Sequence, residues 1–142
     1  MNRIGLSLLS LLSIAFMACD SDSSSNAKEY DCTMTEEGVK VLAPEGGESF
    51  SIGDTVTVVF GANYANAGGF RVLYKADVDS NGVDLSEESV GPDAPEGSEC
   101  YEVSVALSED RGVVASNKAF IRVQTYNSAA TRGDSKTFTV KE

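Results

Sequence analysis

The 142-residue chain carries 11 Lys and Arg against 22 Asp and Glu, a formal charge of -11 at pH 7, and has neither His nor Trp. That length suits one domain with a tail. The lack of His removes the usual general base near neutral pH, the Ser-His-Asp and Cys-His arrangements and the commonest zinc and haem ligand, while the negative charge disfavours nucleic acid and charge-driven binding to anionic lipid.

Met1 to Ala18, MNRIGLSLLSLLSIAFMA, has one basic residue at Arg3, an apolar stretch from Leu6 and a small residue before Cys19. This is the three-part layout of a secretory signal, too short for the ~20 apolar residues of a membrane-spanning helix. Phe16-Met17-Ala18-Cys19 resembles the lipobox of bacterial lipoproteins. The resemblance implies residues 1–18 as a signal peptide, cleavage before Cys19, and acylation of its sulfur. Two or three chains at ~0.8 kcal/mol per buried methylene hold a protein stably on a membrane, which makes the membrane the first expected partner. It also implies a bacterial cell envelope location outside the cytosol, with Asp20 leaving inner and outer membrane both open. Asp20 to Asn26, DSDSSSN, holds no apolar residue to offset the entropy of ordering it, so residues 19–31 are read as lipidated Cys and flexible polar tether.

Residues 32–142 are expected to form the domain, a length that buries about two thirds of the unfolded surface. No amphipathic helix is evident. Apolar residues instead alternate at Val39 and Val41; Val56, Val58 and Phe60; Phe70, Val72 and Tyr74; Tyr101, Val103, Val105 and Leu107; Phe120, Ile121, Val123 and Thr125; and Phe138 and Val140. Turn clusters separate them, among them Pro44-Glu45-Gly46-Gly47, Ser80-Asn81-Gly82, Gly91-Pro92 and Arg132-Gly133-Asp134. The pattern predicts an all-β fold, an immunoglobulin/fibronectin-III-like antiparallel β-sandwich of about seven strands. Thr57, Arg71, Lys75, Glu102, Ser104, Arg122 and Thr139 are expected to face solvent.

Val41-Leu42-Ala43-Pro44-Glu45-Gly46-Gly47-Glu48, continuing through Gly53-Asp54 into Thr55-Val56-Thr57-Val58, resembles the opening of the Knh-type, Ser-Thr-rich immunoglobulin-like domain of fungal GPI-anchored and bacterial surface proteins. Phe60 stands near where that family usually has Trp. Ala119 to Val123 and Ser135 to Val140 are similar to its closing strands. The resemblance implies an envelope or cell-wall accessory domain and brings no catalytic residues with it.

With Cys19 lipidated, Cys32 and Cys100 remain as one pair, expected to form a disulfide in an oxidising compartment, with two free thiols as the alternative. No Cys-x-x-Cys is present to support redox chemistry. Asp77-Val78-Asp79-Ser80-Asn81-Gly82-Val83-Asp84-Leu85-Ser86-Glu87-Glu88 matches the calcium-loop pattern, with Asp77, Asp79, Asn81, the Val83 carbonyl and Glu88 as the oxygen donors. Neither EF-hand helix is present, and an acidic hairpin loop is the competing reading. Ca²⁺ is therefore the one cofactor considered; otherwise none is expected. Arg132-Gly133-Asp134 is read as a turn before the last strand. Sandwiches of this size also bind sugars on aromatic platforms, for which Tyr64, Tyr101 and Tyr126 are the candidates. Tyr64, in the loop Asn63-Tyr64-Ala65-Asn66, is the one singled out for ligand binding. Paired acids such as Glu87 and Glu88 need a facing arrangement to hydrolyse glycosides. The expected function is a non-enzymatic, lipid-anchored interaction or structural module. A carbohydrate-binding surface domain is the alternative, and the partner is envelope polysaccharide or another envelope protein.

Overall fold

The computed structural model describes residues 28–65, 67–86 and 100–142. They form nine strands: β1 (Gly38–Ala43), β2 (Ser49–Ser51), β3 (Thr55–Asn63), β4 (Phe70–Lys75), β5 (Val83–Asp84), β6 (Cys100–Ala106), β7 (Ser116–Thr125), β8 (Arg132–Asp134) and β9 (Phe138–Lys141), with one 3₁₀ turn at Glu109–Arg111. One sheet runs β1-β3-β6 and the other β2-β9-β7-β4-β5, with β8 also paired to β7. The two face each other as an all-β sandwich. The six alternating segments of the sequence are β1, β3, β4, β6, β7 and β9. Signal peptide, Cys19 and most of the tether lie outside the described residues, as do Asn66 and residues 87–99.

Alternation works because successive side chains of a strand point to opposite faces. Val56, Val58 and Phe60 of β3 point inward and meet Phe70, Val72 and Tyr74 of β4 and Ile121 and Val123 of β7, all buried in one cluster. Phe60 sits edge-on to Phe70 at 5.1 Å and stacks on Tyr101 at 5.3 Å. Phe50 meets Phe138 edge-on at 5.4 Å and closes the far end. Each such side chain contributes about 1.5–3 kcal/mol of burial.

Three short strands were not legible as alternation, and two of them change an expectation. The Pro44 to Gly47 turn carries the chain from one sheet to the other. There the Glu48 carboxylate accepts the Glu45 and Gly46 amides at 2.6 and 2.8 Å, and β2 then runs parallel to β9. The expectation of purely antiparallel layers fails at that pair, because a strand that switches sheets joins its new partner in whichever direction it is already travelling. Val83 and Asp84 form β5 opposite Tyr74 and Leu73. Arg132-Gly133-Asp134 is a strand and not a turn: β8 lies against Arg122, Val123 and Gln124 of β7. At Ser135 the chain kinks, with the Ser135 hydroxyl accepting the Ile121 amide at 2.9 Å, before β9 resumes pairing with the first half of β7. Gly133 is required where β8 passes β1, since a Cβ there would lie 2.3 Å from the Val39 carbonyl oxygen.

Cys32 and Cys100 form the disulfide, with Cα atoms 5.2 Å apart. Cys32 and Tyr30 lie on the outer side of the β1-β3-β6 sheet, packed with Ala43 and Val59. The approach is close enough that a Cβ on Gly61 would stand 2.6 Å from the Cys32 carbonyl oxygen. Packing therefore begins in the lead-in, slightly before Cys32. Lys28 pairs with Glu45, and Asp31 accepts the Thr33 amide at 3.0 Å, which holds its carboxyl below the usual range.

Candidate functional site

The acidic loop is built from its own backbone. Asp77 Oδ1 accepts the amides of Asp79 and Ser80 at 2.9 and 2.7 Å, and the Ser80 hydroxyl donates to the Asp77 carbonyl at 2.9 Å. Asp79 and Asn81 are exposed on the same short turn, whereas Val83 is held in the β4–β5 ladder. The Asp84 carboxylate accepts the Ser86 amide and hydroxyl at 3.0 and 2.5 Å. Glu88 lies outside the described residues, and among those described no three Asp, Glu or Cys side chains converge as metal ligands.

The three tyrosines separate clearly. Tyr64 is half-buried and packs on the edge of the core cluster. Tyr101 belongs to β6 and stacks inside on Phe60. Tyr126, at 40% exposure, stands beyond the end of β7 with the Arg71 guanidinium 4.4 Å from its ring centre.

Around Tyr126 lies the outer face of β4, β7 and β8. Register places Arg71 opposite Gln124 and Gln124 opposite Arg132, one row across three adjacent strands. The next row is Leu73, Arg122 and Asp134. With strands ~4.8 Å apart, the two ends of a row are roughly 10 Å apart at the backbone. Arg122 grips Asp134 with two parallel bonds of 2.7 and 2.8 Å, and its side chain is only 15% exposed. Those bonds to the carboxylate raise its pKa above the ordinary guanidinium value against the opposing effect of burial. Arg71 is looser, with Asp84 4.0 Å away and both side chains more than 40% exposed. Arg132 is exposed and makes no ion pair among the described residues.

Thr57, Arg71, Glu102 and Ser104 are exposed as expected, and Arg122 and Thr139 partly so, but Lys75 is 8% exposed. Its stem lies across from Phe120, the one buried aromatic on this outer face, and its ammonium donates to the Ser80 carbonyl where the β4–β5 hairpin folds back. Arg122 covers Phe120 from the other side, 5.6 Å from its ring centre. Long cationic side chains hide an outward aromatic by laying their methylenes over it. The row of Arg71, Gln124 and Arg132 beside Tyr126 was missed by reading residues one at a time. Alternation marks Arg71 and Arg122 as outward, but only the β7–β8 pairing brings Arg132 into line. No protein-family model and no curated protein matches the chain.

Proposed function

We propose that the protein is a bacterial lipoprotein, held on a membrane of the cell envelope through Cys19, whose sandwich is a non-enzymatic interaction module. One observation carries this reading. Cys32 and Cys100 pair with each other, which leaves Cys19 as the odd thiol at the end of a signal-like segment. Disulfides persist in oxidising, extracytoplasmic compartments, and a lipidated sulfur accounts for the third cysteine. The packing of Tyr30 and Cys32 on the β1-β3-β6 sheet fits a chain that must pass from a tether into a fold. The likeness of Val41 to Val58 to the Knh-type opening supports an envelope accessory domain.

The test is the mass of the protein extracted from membranes. The expected species begins at Cys19, carries two or three acyl chains, and is two hydrogens lighter than the reduced form. An intact, unacylated chain beginning at Met1 and recovered from the cytosol overturns the proposal.

A second reading, polysaccharide binding, is favoured by one observation: Tyr126 presents an exposed ring backed by Arg71. Glycan binding that is lost in Tyr126→Ala and kept in Tyr64→Ala supports it; no binding to any glycan overturns it.

A further inference from the structure

We infer that the outer face of β4, β7 and β8 docks a carboxylate-bearing polysaccharide, with Arg71 and Arg132 as the carboxylate forks, Gln124 between them and Tyr126 as the flat platform at one end. The inference rests on the polysaccharide reading and names its ligand chemistry.

Charge is the first argument. The chain carries twice as many acids as bases, yet all four arginines among the described residues gather at this one sheet. Arg71, Arg122 and Arg132 are on its outer face, and Arg111 reaches its β5 edge, 3.4 Å from the Asp84 carbonyl. Asp134 and Asp84 are the carboxylates that meet Arg122 and Arg71. Asp134 is spent on Arg122 through both oxygens, while Asp84 stands 4.0 Å from Arg71. Among the described residues, neither Arg71 nor Arg132 is therefore committed to a close carboxylate. At physiological salt the screening length is about 8 Å, so acids farther than that act only weakly on an anion seated at either guanidinium.

Geometry then shapes the ligand. A guanidinium holds a carboxylate through two parallel bonds, a fork that an ammonium does not offer. Gln124 lies in register between the two forks and offers both a donor and an acceptor, the complement of a hydroxyl. Tyr126 adds an exposed aromatic surface, and the cation behind it fixes the ring. Carboxylates spaced among hydroxyls on an extended chain match fork, amide, fork and ring together. A run of acidic peptide would use the forks alone.

The experiment uses the full chain in detergent at about 0.15 M salt, with polygalacturonate, neutral dextran and poly-glutamate as probes. Polygalacturonate is expected to bind, and Arg71→Ala and Arg132→Ala each to weaken it about tenfold, the loss of one charge-assisted bidentate contact. Arg71→Lys, which keeps charge but not the fork, is expected to weaken it also. Tyr126→Ala weakens it and Tyr126→Phe does not. Lys40→Ala, on the opposite sheet, leaves affinity unchanged, and equal melting temperatures show that each variant is folded. No binding of polygalacturonate, or undiminished binding by the Arg71→Ala, Arg132→Ala double variant, overturns the inference. So does poly-glutamate binding as tightly, which would reassign the face to an acidic protein. Dextran binding without polygalacturonate binding would keep the polysaccharide reading and discard this one.

Discussion

The two outer faces of the sandwich are covered in different ways. Outside β1-β3-β6 the chain covers itself: Tyr30 and Cys32 lie on Ala43 and Val59, and the cover is riveted to β6 through Cys100. Outside β4, β7 and β8 the cover is made of side chains, with Lys75 and Arg122 flanking Phe120 and Arg71 backing Tyr126. The backbone cover occupies the end of its face over Ala43 and Val59, while Thr57, Glu102 and Ser104 beside it stay exposed. A cover of long cationic side chains hides the aromatic carbon beneath while keeping the charged heads in water, so that face stays available. One cover is a stapled stretch of backbone that adds stability, and the other keeps cationic groups at the surface for recognition.

The largest effect should come from cutting the rivet. Replacing Cys32 and Cys100 together by Ser releases a cross-link between residues separated by 68 positions, worth about 4 kcal/mol on the chain-entropy account. Urea unfolding of the double variant against the oxidised protein measures it. A loss under about 1 kcal/mol would mean that the lead-in is held by packing alone and would erase the contrast between the two faces.

Two glycines come next and sharpen the comparison. Gly133→Ala drives a methyl to 2.3 Å from the Val39 carbonyl oxygen, a backbone atom that cannot swing aside, and should cost about 3 kcal/mol. Gly61→Ala meets the Cys32 carbonyl at 2.6 Å and should cost about 2 kcal/mol. The diagnostic is coupling. In the chain lacking the disulfide the lead-in can lift away, so the Gly61→Ala penalty should shrink while that of Gly133→Ala stays the same. Equal penalties in both backgrounds would show that the lead-in does not move independently of the sheet.

These sites also show what a sequence reveals. The core was legible because Val56, Val58, Phe60, Phe70, Val72 and Tyr74 repeat with period two, a local property. Ser49 to Ser51, Val83-Asp84 and Arg132 to Asp134 were not, because strands of two or three residues contain too few side chains to show a period. Arg132-Gly133-Asp134 has turn composition, yet its Gly is there for close passage between strands, which depends on a residue nearly a hundred positions away in sequence. Lys75 reads as outward and is outward, but its burial depends on Phe120 across the ladder and on Ser80 in the returning hairpin. The arginine row was hidden for the same reason: its members come from three strands.

A smaller effect lies in the core between the faces. The Tyr74 hydroxyl donates to the Val114 carbonyl at 2.5 Å, so Tyr74→Phe should cost about 1 kcal/mol at neutral pH. Burial raises the Tyr74 phenol above its ordinary value of 10.0. Its share of stability is therefore complete below the unfolded value and is lost as pH rises through the folded one. Urea midpoints between pH 8 and 11 should fall less steeply in Tyr74→Phe than in the parent. Parallel curves would show that the phenol titrates alike in both states.

The smallest effect tests the side-chain cover itself. Arg122 and Asp134 form a two-bond pair, with Arg122 mostly enclosed and Asp134 40% exposed. Partly exposed pairs couple weakly, so a double-mutant cycle of Arg122→Ala and Asp134→Ala should return about 0.5–1 kcal/mol, reduced by added salt. Arg122→Ala alone should cost more than the cycle returns, because its stem also covers Phe120. The excess should survive high salt, since it comes from apolar cover and not from charge. A single-variant loss that disappears entirely in salt would make the second face an electrostatic surface with no packing role, and Phe120 would then need another explanation for being 4% exposed on the outside of its sheet.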